Sequence, residues 1–193
     1  PRNLLAVAAG LGGGSADAAA ALRAINRAWA VDLPTDGLES LARKLGADIP
    51  VCVRSAPALM SGSGEVLAQA PALPRMAIVI AHTREPLLTV DVFRALAPKE
   101  WSGSAPALPG AFEDVGALVK FLGRARNDLE PPAIRLQPQI ARLLNDLRGL
   151  PDCAIARMSG SGAACFGIFE TDCAAQGAAK SLGDAGWWAV ATH

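Results

Sequence analysis

Four glycines occupy five positions from Gly10 to Gly14, interrupted only by Leu11, and Ser15, Ala16 and Asp17 follow at once. Glycine lets backbone N–H groups turn toward a ligand without interference from a Cβ. A helix starting there leaves its first N–H groups unpaired and carries a partial positive charge at that end. Together these features form a cradle for a phosphate group. Ser15 can cap the helix, or place its hydroxyl on a phosphate oxygen or a Mg²⁺ ion. Asp17 suits the helix dipole but repels a triphosphate, unless it points away or meets the ligand through a cation. Two better-known phosphate motifs do not fit. The form G-x-x-x-x-G-K-[ST] needs a lysine, and the first lysine is Lys44. The dinucleotide form G-x-G-x-x-G, started at Gly10, meets Ser15 at its last glycine.

A second residue type suited to chemistry is the carboxylate of Asp48. It follows Gly46, and the next residue, Ile49, is held extended by Pro50. A carboxylate on so stiff a connector can orient or accept a proton; a capping or turn aspartate is the plain alternative. Thr89 can cap a short helix. Gly160, Ser161 and Gly162 form a turn between two strand-like runs. His82 sits in no motif, and a surface or hydrogen-bonded role is expected of it.

The elements that must hold these residues follow from periodicity. Ser15–Trp29 is predicted as a helix with Ala18, Ala21, Leu22, Ile25 and Trp29 on one face. A second helix is predicted from Asp36, with Glu39 completing a capping-box-like pair and Gly46 as the stop. "IPVCVRS" and "EVLAQA" resemble strands joined through "SAPALMSGSG". The proline-rich "APALPR" marks a domain boundary, giving domains 1–72 and 73–193. Beyond it come strand "MAIVIAH", the helix after Thr89, a loop, a helix near Val115–Leu122, and one long helix opened by Pro131 and Pro132 and ended by Gly149. Strand "CAIARM", the turn, strand "ACFGIF", a helix from Thr171 and strand "WWAVATH" complete the chain. Without the inserted helix this is β-α-β-β-α-β, the split pattern of a ferredoxin-like sandwich.

Composition narrows the function classes. The 193 residues are 51% hydrophobic and 19% charged, enough apolar material for a core. Lys and Arg balance Asp and Glu at 18 each, so charge gives no case for nucleic acid or an anionic membrane as a partner. No run is long enough for a membrane span. The four cysteines form no C-x-x-C pair and no zinc pattern, and reduced thiols in a cytoplasmic protein are expected.

"GLGGGSADAAA" resembles the ATP-binding motif of the GHMP kinase superfamily. The triple glycine before Ser-Ala-Asp is similar to one branch of it, whose substrate is diphosphocytidyl-methylerythritol in the non-mevalonate route to isoprenoid precursors. "LGADIPVC", "ARNDLE" and "MSGSGAACFG" resemble further signatures of that branch, in the expected order. The resemblance implies an α+β, two-domain architecture: a partial N-terminal ATP-binding domain followed by a ferredoxin-like C-terminal domain. It implies ATP and Mg²⁺ as cofactors and a small-molecule alcohol as acceptor, in a monomer or homodimer. By the same resemblance Ala6, Val7, Ala8, Ala9, Gly10, Leu11, Gly12, Gly13, Gly14, Ser15 and Ala16 form the ATP-phosphate loop, and Asp48 is the general base. Thr89, Gly160, Ser161 and Gly162 contact the substrate. Asn127 and Asp128 are expected to order the loop before Pro131.

The superfamily branch carries a catalytic lysine, in a Pro-Ala-Lys context, in a segment ahead of the glycine loop. The present sequence starts at Pro1 and has no such lysine. It is therefore expected to be the later part of such an enzyme, and by itself to aggregate, to dimerise or to lack turnover. A binding module that holds nucleotide without transferring phosphate is the alternative, and a dinucleotide-dependent oxidoreductase a weaker one.

Overall fold

The computed structural model describes residues 10–62, 66–103 and 106–193. They divide into two compact units: Gly12–Ala72, and Leu73–His193 together with Gly10 and Leu11.

In the first unit, helix α1 (Gly13–Ala28) is followed by α2 (Thr35–Ala42) and α3 (Ile49–Arg54), then by the antiparallel hairpin of β1 (Ala58–Ser61) and β2 (Val66–Gln69). Ala19, Leu38, Ala42, Ile49 and Val53 are its buried core. Ala19 and Ala42 are fully buried, and side chains this small let helices approach closely. Arg23 of α1 donates to the carbonyls of Cys52 (2.7 Å) and Val53 (3.2 Å), tying α1 to the last turn of α3. Asn26 clasps Leu33 through both its N–H and its C=O, each at 3.0 Å, and so closes the α1–α2 connection.

Three local expectations change here. "IPVCVR" is a helix, not a strand. Pro50 fits at its second position, where no intrahelical N–H partner is needed, and Ile49, Pro50 and Val53 all fall on the buried side. Asp36 and Glu39 form no capping box. Glu39 is nearly buried and accepts from Arg54 Nε at 2.7 Å, with Asp36 3.4 Å from the same guanidinium. Ile25 and Trp29, expected on the apolar face of α1, are exposed.

The second unit carries a four-stranded antiparallel sheet in the order β4-β5-β3-β6, from β3 (Ala77–His82), β4 (Cys153–Met158), β5 (Cys165–Phe169) and β6 (Trp188–Thr192). Between β3 and β4 run α4 (Thr89–Ala95), a 3-10 turn (Pro98–Glu100), α5 (Val115–Arg124), α6 (Glu130–Leu136) and α7 (Gln139–Arg148). Helix α8 (Asp172–Asp184) joins β5 to β6. With α7 packed on β4 and β5, and α8 on β3 and β6, this is the split β-α-β-β-α-β sandwich that the pattern implied. Val79, Ile140, Leu143, Leu144, Leu147, Ile168, Phe169 and Leu182 fill the core. Thr171 caps α8 through Ala174 N–H at 3.1 Å. The long helix expected from Pro131 to Gly149 is two helices. Pro138 drives Gln137 out of the helical region, to φ −140° and ψ 86°. Among the described residues no helix is long and apolar enough to cross a membrane.

Candidate functional site

The glycine segment begins in the second unit and passes into the first between Leu11 and Gly12. Ala6, Val7, Ala8 and Ala9 lie outside the described residues. Gly12, at φ +65°, caps α1, and the first helical bond runs from Ala16 N–H to Gly12 O at 2.9 Å. Gly13, Gly14 and Ser15 therefore supply the first-turn N–H groups that a helix cannot pair internally. Ser15 is the third helical residue, so of the two roles open to it the cap is taken by Gly12. Gly12, Gly13 and Gly14 are exposed, and a Cβ added at any of them would meet no described atom within 4 Å. Asp17 is exposed and lies just past the first turn, which holds no acidic residue.

Asp48 immediately precedes α3, in a turn ended by its helix, and is exposed. Its side chain makes no capping bond to that helix, so of the plain alternatives it is the turn aspartate rather than the capping one, and Ile49, expected to be extended, is the first residue of α3.

In the second unit a second glycine loop, Ser159–Gly162, joins β4 to β5. Ser159 N–H donates to Ala164 O and Gly162 N–H to Ser159 O, both at 2.9 Å. Gly160 and Gly162 take φ of +54° and +87°. A Cβ on Gly162 would lie 2.9 Å from Met158 Sδ and 3.3 Å from Leu87 Cδ2, so glycine is required there by packing as well as by backbone angle. Gly10 lies against this loop. Its own Cβ would overlap the Gly162 carbonyl and stand 3.3 Å from Ser159 O, and Ser159 Oγ approaches Gly10 O at 3.3 Å.

Thr89 joins the same cluster. It is the first residue of α4 and caps nothing; its Oγ1 lies 2.8 Å from Ser161 Oγ. Ser161 is almost wholly buried. The structure thus brings Gly10, Thr89, Gly160, Ser161 and Gly162 together within one unit. Asn127, expected only to order its own loop, also reaches this cluster. Its Nδ2 donates to Gly160 O at 2.8 Å and to Met158 O at 3.2 Å, while its Oδ1 accepts from Leu129 N–H at 3.1 Å. Asp128 accepts from both Ser102 N–H and Ser102 Oγ at 2.8 Å, and these bonds hold its carboxyl below the usual range.

Beside Asn127 lies a cavity of about 470 Å³, rimmed by Phe93, Trp101, Arg124 and Arg126. Phe93 and Trp101 are large exposed aromatics. In the sequence Phe93 is marked only as an apolar residue of the short helix after Thr89, and Trp101, alone in a loop, has no periodicity to mark it. His82 is buried at the end of β3; its Nδ1 accepts from Arg84 N–H at 2.8 Å, and burial pushes its pKa down. The four cysteines are free thiols, and burial pushes Cys165 up to about 12. Among the described residues no group of three or more His, Cys, Asp or Glu could hold a metal ion.

Known proteins resemble this chain along nearly its whole length. The GHMP kinases N terminal domain matches residues 2–56 and the GHMP kinases C terminal domain residues 105–186. A 4-diphosphocytidyl-2-C-methyl-D-erythritol kinase of Gluconacetobacter diazotrophicus is 48% identical over 185 residues, 95% of this chain and 60% of that protein. One from Cereibacter sphaeroides is 48% identical over 187 residues, 95% of this chain and 66% of its own length. The chain therefore spans about three-fifths to two-thirds of these relatives. A crystal structure of 4-(cytidine 5'-diphospho)-2C-methyl-D-erythritol kinase superposes with a TM-score of 0.81 at 33% identity, covering 98% of this chain and 67% of that one. Homoserine kinase from Cytophaga hutchinsonii, at 15% identity and a TM-score of 0.65 over 98% of this chain and 67% of its own, shares the fold.

Proposed function

The chain belongs to the GHMP kinase family, and on that premise we propose that it serves ATP-dependent phosphorylation of 4-diphosphocytidyl-2-C-methyl-D-erythritol at its 2-hydroxyl, in the cytoplasm. Residues 1–72 are the part of the ATP-binding domain present in this sequence, and 73–193 are the C-terminal domain. The substrate oxygen attacks the γ-phosphorus, ADP departs, and the hydroxyl proton passes to the Asp48 carboxylate. The first-turn amides of Gly13, Gly14 and Ser15 take the nucleotide's phosphate oxygens, as donors fixed before charge develops. Thr89 and Ser161 offer hydroxyls to the acceptor, and the Phe93–Trp101 rim suits the flat face of a nucleoside base. Bound with the triphosphate, Mg²⁺ would offset its charge, and the Ser15 hydroxyl is the side-chain oxygen of the first turn that would reach it.

One observation carries this reading. Two successive glycines, Gly13 and Gly14, open a helix where nothing in the described protein would touch their side chains and no left-handed backbone calls for them. Glycine there costs helix stability, up to about 1 kcal/mol each against alanine, and packing does not ask for it. A ligand approaching the backbone does.

The test is turnover with Mg·ATP and the diphosphocytidyl acceptor, followed as ADP and phosphorylated product. Asp48→Asn is expected to lower kcat by roughly 10²–10⁴-fold while leaving ATP affinity within about threefold. Unchanged kcat removes Asp48 as the base. Nucleotide binding without ADP release marks a binding module instead.

A further inference from the structure

Asn127 holds the second glycine loop by its carbonyls, which fixes where that loop's N–H groups point. Both hydrogens of its Nδ2 are used, one on Met158 O and one on Gly160 O, and its Oδ1 is taken by Leu129 N–H. The side-chain amide therefore has one workable orientation: turned over, its oxygen would face two carbonyl oxygens and its NH₂ an N–H. The reverse link is made by Arg157, the residue before Met158, whose guanidinium donates to Leu122 O and Ala125 O at the end of α5. The end of β4 and the α5–α6 connection thus grip each other from both sides.

In a trans peptide the C=O and the following N–H point oppositely. With Gly160 C=O turned onto Asn127, Ser161 N–H faces the other way. The Ser161 hydroxyl is meanwhile held by Thr89 at 2.8 Å.

We propose that Asn127 is the positioning residue of the Ser159–Gly162 loop, presenting the Ser161 N–H to an anionic group of the acceptor substrate. The identity of that anion rests on the kinase reading above; the tether itself does not. Asn127→Asp keeps the shape but sets a carboxylate against two carbonyl oxygens. Asn127→Ala removes both donors.

Amide exchange in the protein without ligand reads the tether. Both variants are expected to raise exchange at Gly162 N–H by about tenfold or more, with the β3, β5 and β6 amides unchanged. Kinetics with Mg·ATP and diphosphocytidyl-methylerythritol read the consequence: kcat/KM for the acceptor falls by about 10²-fold, mostly through KM, while KM for ATP stays within about threefold. An unchanged Gly162 amide, or an acceptor KM within about twofold of the parent, overturns the proposal. Should Asn127→Asp and Asn127→Ala not fold, Asn127→Ser, with one hydroxyl donor left, is measured against the same two thresholds. If the parent protein binds no Mg·ATP, the kinase reading fails; where it shows no turnover, the exchange measurement alone decides the tether.

Discussion

The two glycine loops use the same residue for opposite reasons. In Ser159–Gly162 the protein demands Gly162: Met158 and Leu87 crowd any Cβ there and its φ is +87°, while Thr89 and Asn127 bond the loop from two sides. At Gly12–Gly14 the backbone stands exposed with no described atom near any added Cβ. The first loop is built by its neighbours and so has a fixed shape without a ligand. At the bare turn, Gly13 and Gly14 answer to no described neighbour.

The contrast breaks first at Gly10, which belongs to the braced loop by contact. Alanine there needs an unfavourable φ of +71° and overlaps the Gly162 carbonyl, which is backbone and cannot swing aside. A loss of about 2–4 kcal/mol is expected in denaturant unfolding, with kcat/KM down by about 10²-fold or more. Gly10→Ala with parental stability would mean that the two segments do not touch.

Gly13→Ala should do the reverse to stability. At an open helical position it is expected to leave the unfolding free energy unchanged or raise it by up to about 1 kcal/mol. The methyl group then stands where phosphate oxygens approach, and KM for ATP is expected to rise by about tenfold. Opposite signs for stability and affinity in one variant are the signature of a residue kept for its ligand. If Gly13→Ala leaves ATP affinity unchanged, the bare turn is only a loop.

How far the sequence disclosed this difference depends on the range of the forces involved. The glycine run, the helix behind it and the sheet topology are local patterns, and they are legible in order and type. The helix at Ile49–Arg54 was not, because a short run with Ile and two valines fits a strand equally well. Burial of Ile49 and Val53 in the core formed with Ala19, Leu38 and Ala42 decides it. The break before Pro138 had a signal, since the residue before a proline avoids the helix, but the apolar stripe through Ile140 and Leu144 outweighed it. Asn127 and Thr89 carried the right residue types. Their partners lie 33 and 72 positions away in the chain, and no spacing rule reaches that far. The split between a demanded and an undemanded glycine is invisible in sequence altogether, being a statement about what surrounds a missing Cβ.

The smallest expected effect concerns the surroundings of the braced loop, which charge also holds together. Arg135 of α6 grips Glu100 with both nitrogens, at 2.7 and 3.0 Å, and donates to Ala95 O at the end of the helix that Thr89 begins; Ala97 N–H donates to Glu100 as well. Arg135 and that N–H hold the Glu100 carboxyl at about 2 against an ordinary 4.5. The folded protein therefore keeps Glu100 ionised where the unfolded chain would bind a proton. Its contribution is whole above about pH 4.5 and is lost as pH falls toward 2. Glu100→Gln is expected to melt slightly below the parent at pH 7, with the difference closing as pH approaches 2. Half-exposed Arg135 is screened, so the gap should also narrow as salt is added. Among the described residues no such pair is found at the bare turn, where Gly13 and Gly14 carry no side chain to titrate. A gap that stays constant from pH 7 to pH 2 would show that Glu100 supports the braced loop by packing rather than by its charge.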